Sequence, residues 1–336
     1  MTTKMWIVPA AVAAASAPAS ALNIVPVFDS SVTGQAAAGA IESAFNTVLG
    51  DYAGAFSTPA TVYINVGWGE VGGAALPSSA VGASSSNLYG FYTYNQVRSL
   101  LTAAAASNSA DQTLALALKH LSSTAPSGTN RYVVTAAEAK ALGLIAPATA
   151  RTDGSVGFAG STSSYSFDPT NVAAGQYDFQ AVAAHEVSEV LGRSSGVGGG
   201  MWRTPLDLFR YSAPGSLSYS FGQNAYFSVD GGATALQQFN AAASGDRADW
   251  ATGSASRDAF DASIGKGQRK ALSAIDLAEL DVLGWSGANV GNTGAMPTGT
   301  AFAVAGSVPE PAAWSLMILG FGLVGATARN QRQACA

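Results

Sequence analysis

The 336-residue chain has a single cysteine, Cys335. Everything before it is without disulfides, even in a compartment that would permit them. Charge is also scarce: 11% of residues are Asp, Glu, Lys or Arg, and the net charge is -5. No basic patch suits a nucleic acid. Histidine is rarer still, with only His120 and His185. Gly192-Arg193-Ser194-Ser195-Gly196 spells G-x-S-x-G but follows an expected helix rather than a strand, and no Cys–His pairing is found, so serine or cysteine nucleophile chemistry has no support. There is no internal repeat. Glycine, at 38 residues, and alanine are plentiful. What holds the fold must be an apolar core or a metal.

The two ends carry targeting signals. Lys4 precedes an apolar stretch from Met5 to Ala15, and Ala19-Ser20-Ala21 follows. This order of charge, short apolar run and small residues reads as a signal peptide over 1–21, cleaved after Ala21. It implies the Sec translocon and signal peptidase as partners. At the other end Pro309-Glu310-Pro311 leads into an apolar run, with Arg329 and Arg332 behind it. The run predicts a membrane helix over about 313–328, its arginines on the cytoplasmic side. Pro-Glu-Pro, a glycine-rich apolar helix and a basic end resemble the PEP-CTERM sorting signal, here over 308–336. The resemblance implies recognition by an exosortase. The chain would cross the inner membrane, be anchored transiently, and end on the outer surface, outside the cell or in a biofilm matrix. A plain C-terminal anchor is the other reading. Residues 286–307, rich in Gly, Ala, Thr and Asn, read as a linker, leaving 22–285 as the folded unit.

Periodicity gives that unit a mixed α+β character. Helical spacing is seen at 35–49, 94–106, 111–121, 178–191 and 273–283, the last with Asp276 on its polar face. Strands are expected at 60–68, 132–135 and 155–158. Thr135 and Glu138 stand as a capping box.

The chemistry concentrates in Ala183-Ala184-His185-Glu186-Val187-Ser188-Glu189-Val190-Leu191-Gly192-Arg193. His185 and Glu189 are i and i+4 on a helix, so one face offers an imidazole nitrogen and a carboxylate to a divalent ion. Glu186 lies about 100° around the helix, beside such an ion rather than on it. In H-E-x-x-H zinc hydrolases the glutamate at that place polarises water. A glycine-rich loop follows, and the next acidic residue is Asp207, the expected third ligand. The bland alternative makes His185 a hydrogen-bonded core residue, with Glu189 paired to Arg193.

This helix resembles the metzincin pattern H-E-x-x-H-x-x-G, with Glu189 in place of the second histidine. Together with 66–73, 207–211, 226–232, 245–250 and 280–285, it looks like the PEP-CTERM-associated metalloprotease family with an H-E-x-S-E-x-L-G-R helix. The resemblance implies a zincin-like α+β domain, a small mixed sheet with an active-site helix. It implies zinc on His185, Glu189 and Asp207, with Glu186 as general base of a peptidase. Peptide or protein substrates would meet the 194–204 loop and the strand 61–68. A non-catalytic exopolysaccharide- or biofilm-associated surface protein, also sorted by exosortase, is the competing function.

Other candidates are weaker. Asp230-Gly231-Gly232, Gly245-Asp246 and Asp249 form an acidic stretch that calcium could use, although turn chemistry alone explains Asp-Gly pairs. Trp68, Trp202, Trp250 and Trp285 could line a sugar surface but read as packing anchors. His120 suits the C-terminal turn of its helix.

Overall fold

The computed structural model describes residues 22–287, apart from 78, 79, 221, 244, 254 and 255. The expected signal peptide, most of the linker and the C-terminal apolar segment lie outside the described residues. Among the described residues no helix is long and apolar enough to cross a membrane.

The chain enters on β1 (Asn23–Phe28), and Asp29 caps the short α1 (Ser30–Thr33). Helix α2 (Ala38–Ala55) then leads to β2 (Thr61–Trp68). Helix α2 outruns the expected 35–49 because Tyr52 extends its buried face; the Tyr52 hydroxyl donates to the Ala184 carbonyl at 2.6 Å. A hairpin of β3 (Glu70–Val71) and β4 (Ala74–Ala75) precedes β5 (Gly82–Ser86) and β6 (Leu88–Tyr92). Helices α3 (Tyr94–Ser107) and α4 (Thr113–His120) follow, with His120 exposed at the end of α4. Then come β7 (Tyr132–Thr135), α5 (Ala136–Ala141), β8 (Thr152–Phe158) and α6 (Phe179–Val190). Helix α7 (Ala274–Asp281) closes the described chain.

The architecture is mixed α+β, built on small sheets. The largest has the order β1-β2-β8-β5. Strands β1, β2 and β8 run parallel, and β5 pairs with β8 antiparallel. Alternation in β2 sends Val62, Ile64 and Val66 to the core side, where each is fully buried. Both edges of β2 are paired, so the expectation that 61–68 adds a substrate strand is corrected. The strand with one described neighbour at that side of the sheet is β5.

Helix α6 packs against β5, β8 and α2. Its start is set by Asp178, whose carboxylate accepts from Ala181 N at 3.2 Å. An N-cap of this kind contributes about 1 kcal/mol. Phe179, Val182, Ala183, Val187 and Val190 join the main core cluster. Gly192 ends the helix at φ +117°, a conformation other residues rarely adopt. Trp285 closes over that end: it is fully buried, and its Nε1 donates to the Leu191 carbonyl at 2.7 Å. Trp68 and Trp250 are buried too, which favours the anchor reading over a sugar surface for these three.

The capping boxes at Thr135/Glu138 and Ser273/Asp276 are both formed. Asp276, however, does not lie on a polar face. It is fully buried and accepts from Trp250 Nε1 at 2.7 Å and from Ala259 N at 3.2 Å. A cap that also ties two distant segments is invisible to helical periodicity.

Candidate functional site

The middle of α6 projects His185, Glu186 and Glu189 beyond its apolar face. The His185 Nδ1 lies 3.0 Å from the Ala259 carbonyl. A carbonyl only accepts, so Nδ1 carries a proton there. The other nitrogen, Nε2, faces two carboxylates: Glu189 Oε1 at 3.5 Å and Asp249 Oδ1 at 3.2 Å. Ligand atoms of His185, Glu189 and Asp249 all fall within 4.8 Å of one another. The His185 and Glu189 side chains keep 17% and 19% of their surface, so solvent reaches the cluster.

These distances suit a small cation. Ligands about 2.0–2.1 Å from a tetrahedral zinc lie about 3.4 Å from each other. The two separations at Nε2 bracket that value. The donor set, one imidazole and two carboxylates, is legitimate for zinc.

Arg193 is fully buried, and its NH1 donates to Asp249 Oδ1 at 2.6 Å while NH2 stands 3.5 Å from Glu189 Oε1. One guanidinium and a cationic His185 thus stand against two carboxylates, close to charge balance. Burial raises Asp246 to about 7, and its Asp249 and Glu189 neighbours add to the rise. Burial also lifts Glu279 far above the carboxylate range; neither of its oxygens has a hydrogen-bond partner among the described residues. Burial would depress His185, but the Asp249 charge overrides it and holds the imidazole well above its ordinary value. Asp249 itself falls to about 2: burial opposes this, and the His185 and Arg193 charges prevail. A cation binding at Nε2 would have to displace the proton held there, so its affinity would rise with pH.

Glu189 is fixed further by β5. Ser84 Oγ donates to its Oε2, and Ser86 Oγ donates to its backbone carbonyl at 2.9 Å. Glu186 lies against the same strand. A Cβ on Gly82 would come within 2.6 Å of Glu186 Oε1, so the glycine makes room for that carboxylate. Only 7% of Glu186 is exposed. The two glutamates therefore share the β5 side of α6, with Glu189 between Glu186 and His185.

The structure brings His185 and Glu189 together with Asp249, sets Glu186 against β5, and leaves Asp207 elsewhere. Asp207 is fully buried, with Oδ1 accepting from Ser195 Oγ at 2.6 Å and Oδ2 from Gly196 N at 3.0 Å and Thr204 N at 2.9 Å. It stitches the two ends of the glycine-rich loop together, and both of its oxygens are taken. Asp249 arrives instead, on an irregular segment 56 residues after Arg193. The sequence signal for it was weak: an aspartate before a buried tryptophan in a stretch that also suited calcium. Asp230 of that stretch serves its own turn, accepting from Ser228 Oγ at 2.7 Å and Thr234 N at 2.8 Å. The Arg193–Glu189 pair expected under the core-residue reading is present as well.

No curated protein and no solved structure matches the chain, so the metalloprotease resemblance rests on these residues alone. Pro309, Glu310 and Pro311 lie outside the described residues but within the matched segment: residues 307–333 match the PEP-CTERM protein-sorting motif, which marks the chain for export and for exosortase-dependent sorting to the surface.

Proposed function

We propose that this exported protein is a zinc-dependent peptidase whose metal is held by His185, Glu189 and Asp249, the last in place of Asp207. The observation that carries the reading is the convergence of those three ligand atoms within 4.8 Å, two of them on the helix that also bears Glu186 and the third brought by the segment at Asp249. A zinc ion there would supply Lewis acidity toward the scissile carbonyl and acidify a water molecule. Glu186, one position around the helix, accepts the proton of the attacking water and returns it to the departing amine. His185 is held in one tautomer by Ala259 and Glu189 in one rotamer by Ser84, so little reorganisation is needed. The small mixed sheet beside α6 is consistent with a zincin-like domain. Strand β5, at the sheet's edge beside both glutamates, offers backbone groups to an extended peptide in place of β2.

The second reading is a non-catalytic surface protein associated with exopolysaccharide. The fully buried Arg193 favours it, since its contacts to Asp249 and Glu189 make a charge network without any metal.

Zinc content decides between them. The purified chain should carry about one zinc, absent in His185→Ala and Asp249→Asn and kept in Asp207→Asn. A wild-type chain that takes up no zinc on reconstitution would support the surface-protein reading.

A further inference from the structure

Two residues of the α6 motif remain without a role in the chemistry: Ser188 and Arg193. Both are fully buried. Ser188 Oγ donates to the His185 carbonyl at 2.5 Å and accepts from Arg193 Nε at 2.7 Å. Arg193 NH1 then donates to Asp249 Oδ1 at 2.6 Å, and the guanidinium lies over the Phe260 ring at 4.6 Å. An unbroken path thus runs from the helix backbone at His185, through Ser188 and Arg193, to Asp249.

Asp249 needs such a path. It belongs to no helix or longer strand; its carbonyl accepts from Asn240 N at 2.7 Å, and isolated bridges join the next residue, Trp250, to Phe239 and Asp261. A carboxylate on an irregular segment has free rotamers to lose before it can act with two groups on a rigid helix. Arg193 removes that freedom and also offsets part of the repulsion between Asp249 and Glu189. Its fork geometry matters: Nε goes to Ser188 while NH1 goes to Asp249, a division a lysine ammonium on a flexible stem cannot reproduce.

We propose that Ser188 and Arg193 are positioning residues that register Asp249 against His185 and Glu189, an inference that rests on the metal site proposed above. They touch neither metal nor substrate. They act on the geometry and affinity of the site through the third carboxylate.

The test is zinc and cobalt affinity of the full chain, measured by competition with a chromophoric chelator, together with the visible spectrum of the cobalt form. Wild type, His185→Ala, Ser188→Ala, Arg193→Lys and the double variant are compared well below the unfolding temperature of each chelated form. Arg193→Lys should lower affinity about 10–100-fold, the usual cost of losing a residue that orients a metal ligand, and should shift the cobalt bands. Ser188→Ala should act in the same direction by a smaller factor. The double variant should be little worse than Arg193→Lys alone, because both lie on one path. If the wild type binds and both single variants match it within about twofold in affinity, with an unmoved spectrum, the positioning role is overturned while the metal site stands. If the wild type binds neither metal, or His185→Ala binds as well as wild type, the site itself fails. Should Arg193→Lys not fold, Ser188→Ala decides alone.

Discussion

Glu186 is set apart from the ligands by a single residue step and by the glycine opposite it. Gly82 leaves the space its carboxylate occupies, and β5 shields it to 7% exposure. Under the proposed peptidase reading, a base so placed would be needed for proton transfer and not for holding a cation. Glu186→Gln keeps the volume and removes the basicity. It should lower peptidase turnover by a factor of about 10²–10⁴, the range general-base catalysis supplies, with zinc content and unfolding temperature unchanged. The comparison is kcat on a mixed peptide substrate beside metal analysis of the same samples. Turnover equal to wild type would remove Glu186 from the mechanism. Asp207 teaches the complementary point. It was the nearest acidic residue after the helix, and nearness along the chain carried no weight once Ser195, Gly196 and Thr204 had taken its oxygens.

At the level of the element, α6 depends on how it stops. A Cβ on Gly192 would meet Glu138 Cγ at 2.3 Å, and the backbone there already stands at φ +117°. Gly192→Ala should therefore cost on the order of 1–3 kcal/mol. At about 2–4 °C per kcal/mol for a chain of this size, a fall of several degrees in Tm is the expected result, and an unchanged Tm would refute the steric account. That stop was legible in the sequence, as were the apolar spacing of α6 and the Thr135/Glu138 box, because each is a local signal read from neighbouring residues. Strand β5 was not legible. Its Gly-Ala-Ser-Ser-Ser holds no β-branched or aromatic residue, and it is a strand only because β8 pairs with it from Gly82↔Phe158 to Ser86↔Gly154. Strand β1 was hidden for another reason. Pro26 interrupts its pattern, and an edge strand tolerates proline where a central one does not. Asp249 had no periodicity to betray it, since the segment bearing it is irregular.

Across the whole molecule, stability must come from burial without disulfides, and the burial includes carboxyl groups in unusual number. Asp281, at the end of α7, is fully buried and accepts from Gly287 N at 3.3 Å. Asp111, only 2% exposed, accepts from Thr113 N at 3.0 Å. One oxygen of each, Asp111 Oδ2 and Asp281 Oδ1, has no hydrogen-bond partner among the described residues. Burial first, and then Asp111, raises Asp281 to about 9. An unfolded aspartate titrates near 3.9. Between those values the native chain holds a proton that the unfolded chain has released, so stability is full below about pH 4 and declines as pH rises toward 9. Glu138, raised to about 8 by burial, and Asp276, raised to about 7, act in the same direction. Asp249, lowered to about 2, acts oppositely, but its contribution is lost only as pH falls below the ordinary aspartate range. The chelated protein should thus lose Tm steadily from pH 5 to pH 9. Asp281→Asn replaces the carboxyl with an amide that does not titrate, so it should flatten this decline and raise Tm most at the alkaline end. Thermal unfolding at constant ionic strength across that range measures both. A wild-type Tm that climbs with pH, or an Asp281→Asn slope parallel to wild type, would mean that the folded chain does not hold Asp281 protonated. An exported chain cannot choose the pH around it, and a buried protonated carboxyl at the end of its last described helix would tie the stability of the whole core to the surroundings.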